Sequence, residues 1–208
     1  MKRESFSDAA LVLLGHGTDQ NANSAAAVLQ HAAELRRRGL FAEVREAFWK
    51  QPPQARDVLA AVRAPRVFIV PLFLSAGYFS GEVIPQRLGF PLTTIPASRI
   101  AHHASHSTHY CFPIGTHDAM TTVILARAAE VVERFPFPRA PKPQELTLIV
   151  AGHGTARSVN SRRALERHAY LIRARQTYAG VHTVFLEEEP RIPACYSLAT
   201  TRNIVIVP

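Results

Sequence analysis

Two unbroken apolar stretches dominate the pattern of this chain, AALVLLG at 9–15 and LTLIVAG at 146–152. Each is too short for a buried helix and lacks polar alternation, so each predicts a strand covered on both faces, as in a parallel sheet. Each ends in the same words, GHGT, at 15–18 and 152–155. Between Ser24 and Arg38 the period changes: Ala25, Val28, Leu29, Ala32 and Leu35 fall on one side of a helix that Gly39 stops. FAEVREAF at 41–48 predicts a second strand, Pro53 opens a helix reaching Val62, and RVFIVPLFL at 66–74 predicts a third strand. Strands alternating with helices imply βαβ units with right-handed crossovers. A glycine loop, SAGYFSGE, leads into a helix over 81–88, a fourth strand is expected near 92–100, and a further helix over His117–Arg134.

The same pattern is written twice. Gly15 and Gly152, His16 and His153, Thr18 and Thr155, Phe48 and Phe185, and Pro71 and Pro208 are all 137 residues apart, with no gap, which marks an internal duplication. FPFPRAPKPQ at 135–144 holds four prolines in ten residues and reads as a linker. The expected organisation is therefore a first domain over 1–134, a Pro-rich linker over 135–146, and the N-terminal part of a second domain over 147–208. The fold class expected is α/β: two tandem flavodoxin-like βα domains with parallel sheets, the second incomplete. By the offset, the counterparts of residues 72–134 are absent, so the chain is expected to be a fragment of a longer product or a truncated copy.

Composition narrows this picture. With 208 residues, 47% hydrophobic and 19% charged, the chain is globular in character. No apolar run approaches the roughly 18 to 20 residues of a membrane span, and no signal-peptide core follows MKRESFSDAA, so a cytoplasmic location is expected. Cys111 and Cys195 form neither a disulfide framework nor a CxxC pair. The net charge of +8 favours an anionic partner. The densest basic runs are ELRRRG and NSRRALERHAYLIRAR, and Arg162, Arg163 and Arg167 are expected on one solvated helix face.

In open parallel sheets ligands lie beyond the C-terminal ends of the strands. His16 and His153 fall at that edge, as do Ser75 to Ser80 after strand three and Lys50 and Glu187 after strand two of each copy. An imidazole there takes up a proton or ligates a borderline metal, and flanking glycines let a substrate approach the backbone. Glu187 beside His153 makes an oxygen and nitrogen ligand pair, or a base with its proton acceptor. Tyr78 and Phe79 either stack on a flat ligand or cap the sheet. His102, His103, His106 and His109 read as an exposed cluster, and His117 as a helix-start residue.

Taken together, GHGT, FLEEEP at 185–190, VPLFLSAGYFSGEVIP at 70–85 and PIGTHDAMTTVILAR at 113–127 resemble the class II sirohydrochlorin chelatases of the CbiX type. The resemblance implies insertion of a divalent metal, Co²⁺ foremost and Fe²⁺ or Ni²⁺ as alternatives, into sirohydrochlorin or a related tetrapyrrole, with no organic cofactor. It implies His153 and His16 as catalytic residues and His153, Glu187 and His16 as metal ligands. Substrate contacts fall to Gly17, Thr18, Gly154, Thr155, Ser75, Gly77 and Tyr78. Two family ligand positions depart: the loop histidine aligns with Phe79 and the strand-two glutamate with Lys50, so the second copy is expected to carry the chemistry. The partner implied is an anionic tetrapyrrole, with eight carboxylates in sirohydrochlorin, and neither nucleic acid nor membrane; self-association is left open. Two readings compete. A phosphoglycerate-mutase-like phosphotransferase wants an arginine directly before the histidine, where Gly15 and Gly152 stand. A non-catalytic metal or tetrapyrrole delivery protein would use the same fold in degenerate form.

Overall fold

A computed structural model of the chain describes residues 5–18, 20–90, 99–103, 106–136, 138–155 and 158–208. It divides into two compact units, Met1–Ile114 and Gly115–Pro208.

The first unit is built on β1 (Ala9–Gly15), α1 (Ala26–Arg38), β2 (Glu43–Phe48), α2 (Ala55–Ala61), β3 (Arg66–Pro71), α3 (Ile84–Arg87), β4 (Arg99–His103) and β5 (His106–Tyr110). Its sheet runs β2-β1-β3-β5-β4, parallel throughout except for β4, which pairs antiparallel with β5 at the edge. The expected parallel sheet is thus present, with one antiparallel edge strand added where the chain returns through a short hairpin instead of a helical crossover, since only crossovers allow parallel neighbours. The strand expected near 92–100 falls mostly outside the described residues.

Every residue of β1 is buried, and the reason is visible in its alternation. Ala10, Val12 and Leu14 enter a core with α2 and α3, while Leu11 and Leu13 enter another with α1 and Phe48. Ala25, Val28 and Ala32 of the predicted stripe are buried, whereas Leu29 is 44% exposed. The helix ends at Gly39 in the left-handed conformation (φ 61°), whose N–H bonds the Arg36 carbonyl.

The second unit contains α4 (Met120–Arg134), β6 (Leu146–Gly152), α5 (Val159–Arg173), β7 (Gly180–Phe185), α6 (Cys195–Leu198) and β8 (Asn203–Val207). Its three-stranded parallel sheet has the order β7-β6-β8. The main core packs Leu146, Leu148 and Val150 of β6 and Val205 and Val207 of β8 against Ala169 and Ile172 of α5 and Ala128 of α4.

The packing of α4 does not follow sequence order. A helix that sequence order assigned to the first domain, 1–134, lays its apolar stripe of Ile124, Leu125, Ala128 and Val132 in the core of the second unit. His168 of α5, 4% exposed, donates from Nε2 to the Gly115 carbonyl (2.7 Å) and accepts at Nδ1 from the Thr121 hydroxyl (3.2 Å). The division therefore falls after Ile114, and the Pro-rich stretch 135–146 lies inside the second unit.

Candidate functional site

The GHGT loop of the first copy leaves the C-terminal end of β1 between β2 and β3. Its backbone is tied to the turn after β2: Trp49 N–H bonds the Gly15 carbonyl (3.0 Å) and Lys50 N–H the His16 carbonyl (2.8 Å). Gly17 has φ 67°, and a Cβ there would meet Gln51 Cγ at 2.7 Å, so the position needs glycine twice over. Gln51 accepts the Thr18 N–H at 2.8 Å. Exposed His16 donates from Nδ1 to the Gly17 carbonyl (2.8 Å); a carbonyl only accepts, so in the neutral ring the lone pair is on Nε2. Phe73 and Phe79 meet the imidazole edge-on at 6.2 and 5.9 Å. Lys50 Nζ stands 5.9 Å from the centre of the Phe79 ring, and Lys50 makes no ion pair among the described residues.

The second copy repeats this backbone. Leu186 N–H bonds the Gly152 carbonyl (3.0 Å), Glu187 N–H the His153 carbonyl (2.9 Å), and Gly154 has φ 69°. The side chains differ. His153 Nε2 lies 3.3 Å from Glu187 Oε1, with the two side chains 66% and 55% exposed. In place of Gln51 stands Glu188, whose Oε1 accepts the Thr155 N–H (3.3 Å). Arg162 grips Glu188 Oε2 through Nε (3.0 Å) and Nη2 (2.9 Å), also bonds the Glu189 carbonyl and Glu166, and stacks 4.3 Å from the centre of the Phe185 ring.

The remaining candidates are placed as follows. Ser75, Gly77 and Tyr78 follow β3 at the same sheet edge as His16; the Ser75 carbonyl accepts from Ser80 Oγ (2.7 Å) and the Gly77 carbonyl from Gly81 N–H (2.7 Å). Tyr78 is 41% exposed, while Phe79 packs on the core of the first unit. His117 accepts the Ala119 N–H at Nδ1 (3.1 Å) before α4. His109 stacks on Phe68 (4.8 Å); His102, His103 and His106 lie on the β4–β5 hairpin, with side chains outside the described set. The expectation of a solvated face at Arg162, Arg163 and Arg167 is corrected for Arg162, which is drawn in to serve Glu188; Arg167 stays exposed and forks Asp118 at the surface (2.9 and 3.1 Å). Among the described residues, no three His, Cys, Asp or Glu side chains gather into a metal-holding group, and no helix is long and apolar enough to cross a membrane.

Gln51 and Glu188 were not singled out from the sequence, and Arg162 was read only as part of a solvated helix face. The signal was the offset itself, which pairs Gln51 with Glu188, one residue beyond the Lys50 and Glu187 already singled out.

Comparison with known proteins joins this geometry to a family. The CbiX family model matches residues 10–131. A probable sirohydrochlorin cobaltochelatase of Halobacterium salinarum is 39% identical over 210 residues, covering 96% of this chain and 70% of its own length. The chain belongs to the CbiX family. The CbiX match runs from β1 into α4, so α4 is part of the first copy in sequence although it packs in the second unit. Among solved structures, a multi-domain Deinococcus radiodurans protein with structural similarity to chelatases superposes with a TM-score of 0.81 at 32% identity over 96% of this chain. The chain spans only 43% of that protein. SirB from Bacillus subtilis with Fe³⁺ (TM-score 0.73, 15% identity) and the sirohydrochlorin chelatase SirB of subspecies spizizenii in complex with cobalt (0.65, 14%) share the fold, each over 96% of this chain and 76% and 74% of their own length.

Proposed function

We propose that this CbiX chain inserts a divalent metal, Co²⁺ foremost, into sirohydrochlorin or a closely related anionic tetrapyrrole, with His153 and Glu187 handling the metal. The observation that carries the reading is the 3.3 Å separation of His153 Nε2 and Glu187 Oε1 on an exposed loop pair. With ligand bonds of about 2.1 Å, that span subtends roughly 105° at an ion, close to the tetrahedral angle. A site with one nitrogen and one oxygen ligand leaves positions open for water and pyrrole nitrogens, and it holds the ion loosely enough to release it. When the ion enters the ring, two pyrrole N–H protons leave, and imidazole and carboxylate at this edge are suited to accept them. Metal choice follows availability more than ligand type at such sites, so the likeness to a probable cobaltochelatase of Halobacterium salinarum is what favours cobalt over iron or nickel.

His16 is assigned the supporting role. Its open Nε2 serves as a proton acceptor or weak ligand, but Lys50 stands where Glu187 stands in the second copy, and an ammonium repels a divalent cation. That ammonium suits the macrocycle's carboxylates, as does the +8 net charge. Gly17, Thr18, Gly154 and Thr155 offer close backbone approach, and Ser75, Gly77 and the exposed Tyr78 a surface for the ring.

The test is turnover: sirohydrochlorin and Co²⁺ are mixed with the chain and the macrocycle absorption is followed. Acceleration above the uncatalysed rate supports the chelatase. Tight binding of metal or macrocycle without acceleration replaces it with a delivery protein.

A further inference from the structure

The run Glu187, Glu188, Glu189 offers three carboxylates beside His153, and their surroundings sort them. Glu187 faces His153. Glu189 accepts the Arg191 N–H (3.1 Å) and pairs with the Arg191 side chain. Glu188 is folded back under the GHGT loop: its Oε1 and Cγ lie 2.8 and 2.7 Å from where a Cβ on Gly154 would be, so only glycine lets the carboxylate in. There it ties the two halves of the site together. Oε1 holds the loop of His153 through the Thr155 N–H, and the chain of Glu188 itself is the turn that carries Glu187.

We propose that Glu188 and Arg162 form a positioning pair that sets the distance between His153 and Glu187, and that Glu188 is not a metal ligand despite its place beside Glu187. The inference rests on the assignment of His153 and Glu187 to the metal. Both oxygens of Glu188 are engaged, one by a backbone N–H and the other by two guanidinium nitrogens, and ligating an ion would cost that fork. Arg162 is in turn fixed by the Phe185 ring, Glu166 and the Glu189 carbonyl. The first copy supplies an internal control. There the same N–H, that of Thr18, is held by neutral Gln51, which also accepts from Ser24 Oγ (3.3 Å), and the position equivalent to Arg162 is Ala25. The loop thus needs an acceptor at this place, and a charged acceptor comes with its arginine.

Co²⁺ titration of the 208-residue chain, read by calorimetry and by the d–d absorption of the bound ion, separates the roles. Partners that orient ligands typically contribute about 10- to 100-fold in metal affinity. Arg162→Ala is expected to weaken Co²⁺ binding by about tenfold, and Glu188→Ala likewise. Glu188→Gln, which installs the residue of the first copy, recovers most of the loss and leaves the d–d spectrum unchanged. If Glu188 were a ligand, Glu188→Gln would lose as much as Glu188→Ala and Arg162→Ala would leave binding equal or tighter; either result overturns the proposal. Should Glu188→Ala fail to fold, Glu188→Gln and Arg162→Ala decide alone, since the two roles predict opposite outcomes for them. His153→Ala distinguishes the layers: unchanged Co²⁺ binding there refutes the metal assignment itself, whereas its loss with wild-type binding in Arg162→Ala and Glu188→Ala refutes only the positioning pair.

Discussion

The two GHGT loops share a backbone and differ in charge. In both, the histidine carbonyl accepts an N–H from the turn after the second strand, and in both the second glycine has a positive φ that admits a side chain from that turn. Around this common frame the first copy sets Lys50, Gln51, Phe73 and Phe79, and the second sets Glu187, Glu188 and Arg162. One duplicated scaffold therefore carries an imidazole with a lysine and aromatic edges in the first copy, and an imidazole beside a carboxylate in the second. Duplication preserves a turn whatever its use. The side chains that diverged carry the functional information.

The comparison breaks most sharply at the histidines. His153→Ala is expected to cut Co²⁺ insertion on the order of 10²-fold or more, the range a positioned ligand or base commands, while His16→Ala lowers it by a much smaller factor. Initial rates of the macrocycle absorption change check this, and the reverse ranking would move the chemistry to the first copy. The residues beside them give the next largest effect. A unit charge about 4 Å from a divalent ion is worth about 2 kcal/mol at the dielectric of water, roughly 30-fold in affinity. Glu187→Lys should therefore abolish measurable Co²⁺ binding at the second loop. Lys50→Glu should create a weak new Co²⁺ site in the first unit, seen as a second equivalent in calorimetry, and its absence would show that backbone likeness does not suffice.

The helices after the loops differ as well. His31 on α1 and His168 on α5 are 137 residues apart, yet His31 is exposed and His168 is 4% exposed, bonded to Thr121 and Gly115. The cause is α4, which covers this face of the second sheet. His168→Ala removes buried volume and leaves a hydroxyl and a carbonyl unpaired, an expected loss of about 2 to 4 kcal/mol. His31→Ala should stay within about 0.5 kcal/mol. Urea denaturation of both variants measures the contrast.

That contrast also marks what the sequence conveyed. The strands β1 and β6 and the loops after them were legible because a strand buried on both faces leaves an uninterrupted apolar run, and because a gapless 137-residue offset repeats it. The helix α4 was legible as a helix, since its stripe has helical spacing. Its destination was not, because an apolar stripe states that a face is buried and not which sheet buries it; the prolines after it suggested a boundary that the packing ignores. His16, His153 and Glu187 stood out because few residue types can ligate a metal or take up a proton at a strand end. Gln51 and Glu188 did not, because they act through a backbone N–H that no side-chain motif announces.

The smallest expected effect concerns how each copy enters its first strand. Asp8 and Glu145 occupy the same repeat position, and both carboxyls are held below their ordinary values, Asp8 by Arg66 and Glu145 by Arg139, which brings Glu145 to about 2. Arg66 begins β3, and its counterpart in the second copy is Asn203, whose amide donates to the Glu145 carbonyl (3.2 Å) instead. The second copy has thus replaced the Asp8–Arg66 ion pair by a local fork from the Pro-rich stretch, Arg139 to Glu145 at 2.8 Å on both oxygens. A carboxyl depressed in the folded state stabilises it fully above the unfolded value of 4.5 and loses that contribution as pH falls from there through about 2. Neutral pH should therefore show no change, and since the pair is at the surface the acid effect is small. Carboxyl ¹³C NMR should place the Glu145 midpoint near 2 and return it toward 4.5 in Arg139→Ala, with Asp8 unmoved. An Asp8 midpoint that shifts with Arg139, or a wild-type Glu145 midpoint already at 4.5, would show that the two entrances are not held independently.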